Sequence, residues 1–273
     1  MFRAERSKST LGSGFSILEL IYHATVRSIR KTQRHAIWGL IQNIMQTVVL
    51  VITFYVMFNV LGLRGNTIRG DFLLYIMSGI FLFLTHTKAM GAVFGSEGSA
   101  SAMMKHAPMT TAVSISAAAL GALYIQLLSM FVVLYLYHAT MGPIEIYNWV
   151  GAMAMVILSW FTGVALGMVF LAMKPWNPSL VSLIQSVYAR ANMIASGKMF
   201  VANLLPHKML VLFDWNPLFH TIDQARGFAF INYNPHFSSW QYPVYVGIAF
   251  LAIGLMGEFY TRQHVSFSWG AKH

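Results

Sequence analysis

Residues 72–94 read FLLYIMSGIFLFLTHTKAMGAVF. An apolar run of this length can cross a bilayer as one helix, because about 20 residues at about 1.5 Å rise cover the hydrocarbon core. The same pattern recurs on both sides of it. Upstream, residues 36–62 read AIWGLIQNIMQTVVLVITFYVMFNVLG. Downstream, apolar runs fall at about 112–137, 148–173, 179–204 and 242–260. The expectation is an all-α, polytopic membrane protein with six transmembrane helices. The run at 179–204 is the weakest, because it carries Arg190 and Lys198.

Composition agrees. Of the 273 residues, 57% are apolar and 10% charged, against roughly 45–50% and about 25% in soluble domains. Mean hydropathy is +0.60. A water-soluble surface needs more charge, so a soluble enzyme is excluded. The absence of cysteine excludes disulfides, thiol catalysis and cysteine-ligated metal centres.

Net charge is +10. With no separate basic domain to carry it, this excess reads as orientation and contact with anionic headgroups, not nucleic-acid binding. With the N-terminus inside, twelve of the 18 Lys and Arg fall on the inner side, seven of them before residue 35. Six fall outside or in the fifth run: Arg64, Arg69, Arg190, Lys198, Lys208 and Arg226. The positive-inside rule then places both termini in the cytoplasm. The first residues lack a long apolar core, so no cleaved signal peptide is expected.

The chain divides into a cytoplasmic N-terminus (1–34), a six-helix transmembrane domain (35–262) and a tail (263–273). Residues 15–34 carry Leu18, Ile21, Tyr22, Thr25 and Ile29 on one stripe and Arg27, Arg30, Lys31 and Arg34 on another. A basic amphipathic helix of this kind lies in a headgroup layer. Residues 95–111 form an inner loop. Residues 205–241 stay apolar without crossing, and Leu218, Ile222, Ala225 and Ala229 follow helical spacing there. One or two short outer-side helices, re-entrant or interfacial, are expected before the last span.

Catalytic patterns are missing. The glycine-rich 95–99 stretch (GSEGS) lacks the lysine and hydroxyl of a phosphate loop, so the chain binds no ATP itself. His207, Asp214, His220, Asp223 and His236 share the outer stretch without ligand-like spacing; they read as caps and anchors, not a zinc site. No metal or cofactor is expected in this chain. Intramembrane polar groups say more. An unpaired cation in lipid costs roughly 2.5–3.5 kcal/mol, so Arg190 should face a protein interior, a watery path or an interface, and Lys198 can do the same or snorkel. His86 and Lys88 should snorkel too. Asn43, Gln42, Gln46 and Gln126 read as helix–helix glue, and Gly163 with Gly167 permits close packing. Tyr55, Phe81 and Tyr188 are aromatics within spans, suited either to packing or to a surface along which a sugar chain slides.

Three segments resemble the membrane subunits of ABC-2 type exporters, closest to capsular polysaccharide export permeases. They are Arg27-Ser28-Ile29-Arg30-Lys31-Thr32-Gln33-Arg34 with Gly39-Leu40, then Phe72-Leu73-Leu74-Tyr75-Ile76-Met77-Ser78-Gly79, and most specifically the third. That one runs Ser196-Gly197-Lys198-Met199-Phe200 to Leu205-Pro206, then Trp215-Asn216-Pro217-Leu218-Phe219-His220-Thr221-Ile222-Asp223-Gln224-Ala225-Arg226-Gly227-Phe228. The family pattern there is SGxxF, LP and WNPLxHxIExxRxxF, with Asp223 standing where Glu is usual. The resemblance spans about residues 20–262. It implies a homodimer in the bacterial inner membrane with a separate ATPase that binds ATP and Mg²⁺. It also implies a surface polysaccharide as cargo, with a polysaccharide co-polymerase and an outer-membrane channel as further partners. O-antigen, teichoic acid, lipid or drug export is the alternative. The segment holding Glu97, Lys105 and His106, and the helix holding Arg27, Arg30, Lys31 and Arg34, would meet the ATPase. Arg190, Lys198, Tyr55, Phe81 and Tyr188 would line the path. Trp215, Asn216, Pro217, His220, Asp223 and Arg226 would form an outer gate or fold a re-entrant hairpin. Locally, Asn216 and Pro217 suit the start of a helix, and Asp223 and Arg226 can pair on it.

Overall fold

A computed structural model describes residues 10–32, 36–60, 62, 71–96, 98 and 111–264. Among these residues the only regular structure is helical. In chain order the helices are α1 (Thr10–Thr32), α2 (Ala36–Val60), α3 (Phe72–Phe94), α4 (Thr111–Thr140), α5 (Trp149–Met173), α6 (Pro178–Ala195), α7 (His207–Phe213), α8 (Pro217–Ala229) and α9 (Gln241–His264), with a 3-10 turn at Ala202–Leu204. Five of them, within α2, α3, α4, α5 and α9, are long and apolar enough to cross a membrane.

The expected fifth crossing at 179–204 takes a different form. The helix α6 ends at Ala195, with Ser196 as its cap and Gly197 at φ +74°. A left-handed glycine one residue past the cap is a common way to stop a helix. The 18 residues of α6 carry Arg190 and several polar side chains, so its hydropathy falls below that of the other five. The stretch at 205–241 contains two helices, and α8 is not on a surface: Leu218, Ile222, Ala225 and Ala229 are all buried.

The bundle is built around α3 and α5, which bury most of their residues; α2 and α9 bury few. Small residues set the central contact. A Cβ on Gly163 would come 2.4 Å from the His86 carbonyl oxygen, and one on Gly167 would come 2.8 Å from that of Met90. The backbones of α3 and α5 therefore touch where the GxxxG pair lies, as close packing in a membrane requires. Polar side chains lock the neighbours. Asn43 of α2 donates to Gln126 Oε1 (3.0 Å) and Ser129 Oγ (2.9 Å) of α4. Trp160 of α5 donates to the Ala119 carbonyl of α4 (2.9 Å). Lys174 Nζ reaches the Phe94 carbonyl (3.1 Å), a cation at the C-terminal end of α3, where the helix dipole favours it.

His86 does not snorkel. It is fully buried, with Nδ1 at 3.1 Å from Thr162 Oγ1 on α5 and Nε2 at 3.2 Å from the Tyr188 hydroxyl on α6. Only Val181 and Asn192 of α6 are buried, so the Tyr188–His86 contact is one of few ties holding that helix to the bundle. The outward faces of α2, α4 and α9 carry Met45, Val49, Ile52, Val56, Tyr135, Ile248 and Met256, all exposed. In water such faces would aggregate; in a bilayer they meet hydrocarbon. The helix α1 packs against α4.

The central contact gives a paired test. Gly163→Leu should force α3 and α5 apart and sharply lower the yield of folded protein, since overpacking costs about 1–3 kcal/mol or more. Gly91→Ala, where a Cβ meets nothing within 4 Å, should leave the thermal midpoint unchanged or raise it. The check is size-exclusion yield and thermal unfolding of both variants in detergent.

Candidate functional site

Helix α8 begins as its sequence predicts. Asn216 caps it, with Oδ1 accepting from Leu218 N (3.0 Å), and Pro217 occupies the first turn. The cap also reaches outward. Asn216 Nδ2 donates to Asn192 Oδ1 (2.7 Å) and to the Ala195 carbonyl (3.0 Å), fastening the start of α8 to the end of α6. At the other end, Tyr147 N and Asn148 N donate to the carbonyls of Ala229 (3.1 Å) and Phe228 (2.9 Å). The helix thus lies across the end of the bundle at which α3, α5 and α9 begin.

Its centre is a buried arginine. Arg226 is 1% exposed. Nη1 donates to the carbonyls of Gly197 (2.9 Å) and Phe200 (2.7 Å), and Nη2 donates to that of Lys198 (2.7 Å). Tyr75 of α3 lies beneath the guanidinium, its ring centroid 4.2 Å from Cζ. A planar fork with several donors suits this task, and a lysine does not have that geometry. The turn at 196–200 is the segment quoted above as Ser-Gly-Lys-Met-Phe, so the two halves of that motif meet here. Gly197 is required twice: its φ is +74°, and a Cβ would lie 2.7 Å from the Phe219 ring.

Asp223 and Arg226 do not pair with each other; neither of the ion pairs found among the described residues joins them. Asp223 accepts from the Tyr233 hydroxyl and from Ser238 Oγ (2.6 Å), both in the segment that leads to α9. Burial, and then the adjacent carboxylate, push the Tyr233 hydroxyl well above the usual tyrosine range, so it remains a donor at neutral and mildly alkaline pH. His220 donates from Nε2 to the Asp214 carbonyl (2.7 Å), while Ser239 N donates to Nδ1 (3.1 Å). The hairpin is therefore closed by bonds that run forward and backward from one helix. Trp215 is exposed, and its backbone carbonyl accepts from Tyr242 of α9 (2.7 Å).

The candidate path residues separate. Arg190 is exposed on α6. Lys198 is 2% exposed and does not reach outward; Nζ lies 3.7 Å from the Phe83 ring centroid and 4.8 Å from that of Phe54. Phe81 is part of the core, Tyr55 packs beside it against Phe72, and Tyr188 contacts His86. Of the residues expected to meet an ATPase, Arg27 is exposed on α1; the side chains of Arg30 and Lys31, and Arg34, Glu97, Lys105 and His106, lie outside the described residues. Tyr75, Asn192, Tyr233 and Ser238 complete the clamp and were not expected; no local pattern marks them, because each acts only through tertiary contact. Among the described residues no group of three His, Asp or Glu could hold a metal ion. His236 is engaged locally, its Nδ1 3.1 Å from Asn203 Nδ2, and His207 is exposed at the start of α7. No protein-family model matches the chain, and no curated protein matches it.

The clamp makes a directional test. Arg226→Lys should remove the planar fork that serves the Gly197, Lys198 and Phe200 carbonyls together and lower stability by about 2–4 kcal/mol. Asp223→Ala, which strands two hydroxyls, should cost about 1–3 kcal/mol. Thermal unfolding in detergent reads both, and the arginine variant should melt lower.

Proposed function

We propose that this chain is the membrane subunit of an ATP-driven exporter of the ABC-2 type, moving a surface polysaccharide across the bacterial inner membrane as a homodimer. The observation that carries the reading is the Trp215–Phe228 motif, which forms a capped helix seated in one end of a bundle of apolar helices and joined to the Ser196–Phe200 turn. In the proposed topology α6 is the fifth of six crossings, both termini are cytoplasmic, and α7 and α8 face the outer side.

The interior of one subunit supports a path outside it. From Leu74 to Leu84 the side chains of α3 are buried apart from Ser78, and the cavity beside them is lined almost wholly by apolar groups such as Phe81, Met130 and Val156. A polymer path then belongs between two copies, which a twofold dimer supplies. The exposed side of α6 fits that position: Ser179, Ser182, Ser186 and Arg190 fall on one stripe, beside the apolar Leu183, Val187 and Ile194. A polar stripe with a cation is costly against lipid and suited to a wet path. ATP and Mg²⁺ bind on the partner ATPase, whose closure would rock the two subunits. The hairpin around α8 would stand at the exit.

The test joins genetics to biochemistry. Deleting the gene should remove the surface glycan, and Arg190→Ala should cut export at least several-fold with chain abundance unchanged. The purified chain with its ATPase should hydrolyse ATP faster when glycan is added. An intact glycan coat in the deletion strain contradicts the proposal; drug or lipid phenotypes in its place would move the cargo to those classes.

A further inference from the structure

The seam between α2, α3 and the 196–200 turn holds donors that nothing accepts from. Among the described residues, Lys198 Nζ, Arg226 Nε and Ser196 Oγ are buried without a hydrogen-bond partner. Two of the three are cations on one seam. A Cβ on Gly79 would lie 2.8 Å from Lys198 Cβ and 3.0 Å from Arg226 Nη2, so both side chains cross α3 at that glycine. From there they diverge, Arg226 toward Tyr75 and Lys198 toward Phe83. The acid of the hairpin, Asp223, is already bound by Tyr233 and Ser238. The seam therefore carries excess positive charge in a low-dielectric setting.

Arg226 has a structural task, since three of its N–H groups hold the turn. Lys198 has none. Among the described residues its ammonium has no hydrogen-bond partner and lies against the faces of Phe54 and Phe83, and aromatic faces attract a cation without accepting its hydrogen bonds as an oxygen does. A buried ammonium with no acceptor is expensive to keep. Methionine has similar length and would fill the same space between two rings at no such cost. The ring faces of Phe54 from α2 and Phe83 from α3 bound the ammonium, so an acceptor reaches it only where these two side chains give way.

We propose that this seam is an oxyanion site in which Lys198 is the binding group, taking a phosphate or carboxylate when the Phe54–Phe83 cover opens. The group fits that chemistry: a buried point cation with no acceptor of its own suits oxygens that carry negative charge. Two sources fit this chemistry, a soluble anion that enters from water and an anionic lipid headgroup. The proposal stands apart from the export reading, because its test needs neither glycan nor ATPase.

The full chain is purified in dodecyl maltoside, which is uncharged and free of phosphate, and its thermal midpoint is followed with two probes. One is sodium pyrophosphate against sodium chloride at equal ionic strength. The other is phosphatidylglycerol against phosphatidylcholine. A saturable rise of about 3 °C or more with either anion supports the site. Pyrophosphate alone identifies a soluble oxyanion as the source; phosphatidylglycerol alone identifies a headgroup. Lys198→Met should abolish the response while melting no lower than the parent, because the buried charge is gone. Lys198→Arg should retain it, and Lys208→Met, on the exposed α7, should change nothing. No saturable response in the parent, or an equal response in Lys198→Met, overturns the proposal. A Lys198→Met chain that melts well below the parent also overturns it, since the lysine would then be a strut.

Discussion

The guanidinium of Arg226 sits at 1% exposure among apolar helices, where no water can serve its N–H groups. It is tolerable there because three backbone carbonyls of one turn converge on it within 2.9 Å. Those carbonyls are free for the same reason that α6 stops: the chain turns left-handed at Gly197 and leaves the helical ladder. Each side therefore needs the other. Without the turn the arginine would be an unpaired buried charge, and without the arginine the Lys198 and Phe200 carbonyls would lose their donor while that of Gly197 kept only the long bond from Phe200 N (3.3 Å). Everything else in the hairpin is arranged about this contact. Asn216 ties the start of α8 to α6, the α4–α5 connection ties its end, and Asp223 draws in the segment that leads to α9.

Much of the bundle could be read from residue order because hydropathy and length are local properties. The run at 72–94 became α3 with the same bounds, and Asn216-Pro217 opened α8 as a capping pair should. The reading failed where the outcome depends on a partner distant in sequence. Nothing in the 179–204 stretch says that Lys198 will lie between Phe54 and Phe83, though the Ser196-Gly197 step was a legible stop signal. His86 near a span end reads as a snorkelling side chain, yet Thr162 and Tyr188 give its ring two buried partners. The spacing of Asp223 and Arg226 permits an ion pair, but buried carbonyls and hydroxyls bind each of them more completely.

This division of labour bears on function. A helix closed in by bonds from both of its ends and from its middle is a rigid part, so any gate at this end of the bundle would move it as a unit with the start of α5 and the end of α6. The helix α6 is the opposite case. It is held by Val181, Asn192 and the Tyr188 hydroxyl, and it turns a polar stripe outward. In the proposed export cycle the rigid hairpin and the lightly held α6 would meet at Asn192 and Asn216, whose 2.7 Å hydrogen bond couples them.

The account rests on α8 being an interior helix and not an amphipathic helix on the surface. Hydrogen–deuterium exchange of the full chain in detergent tests this most directly. The amides of residues 217–229 should exchange as slowly as those of the central helices α3 and α5, and orders of magnitude more slowly than those of the exposed α7. Exchange of α8 as fast as that of α7 would contradict the account.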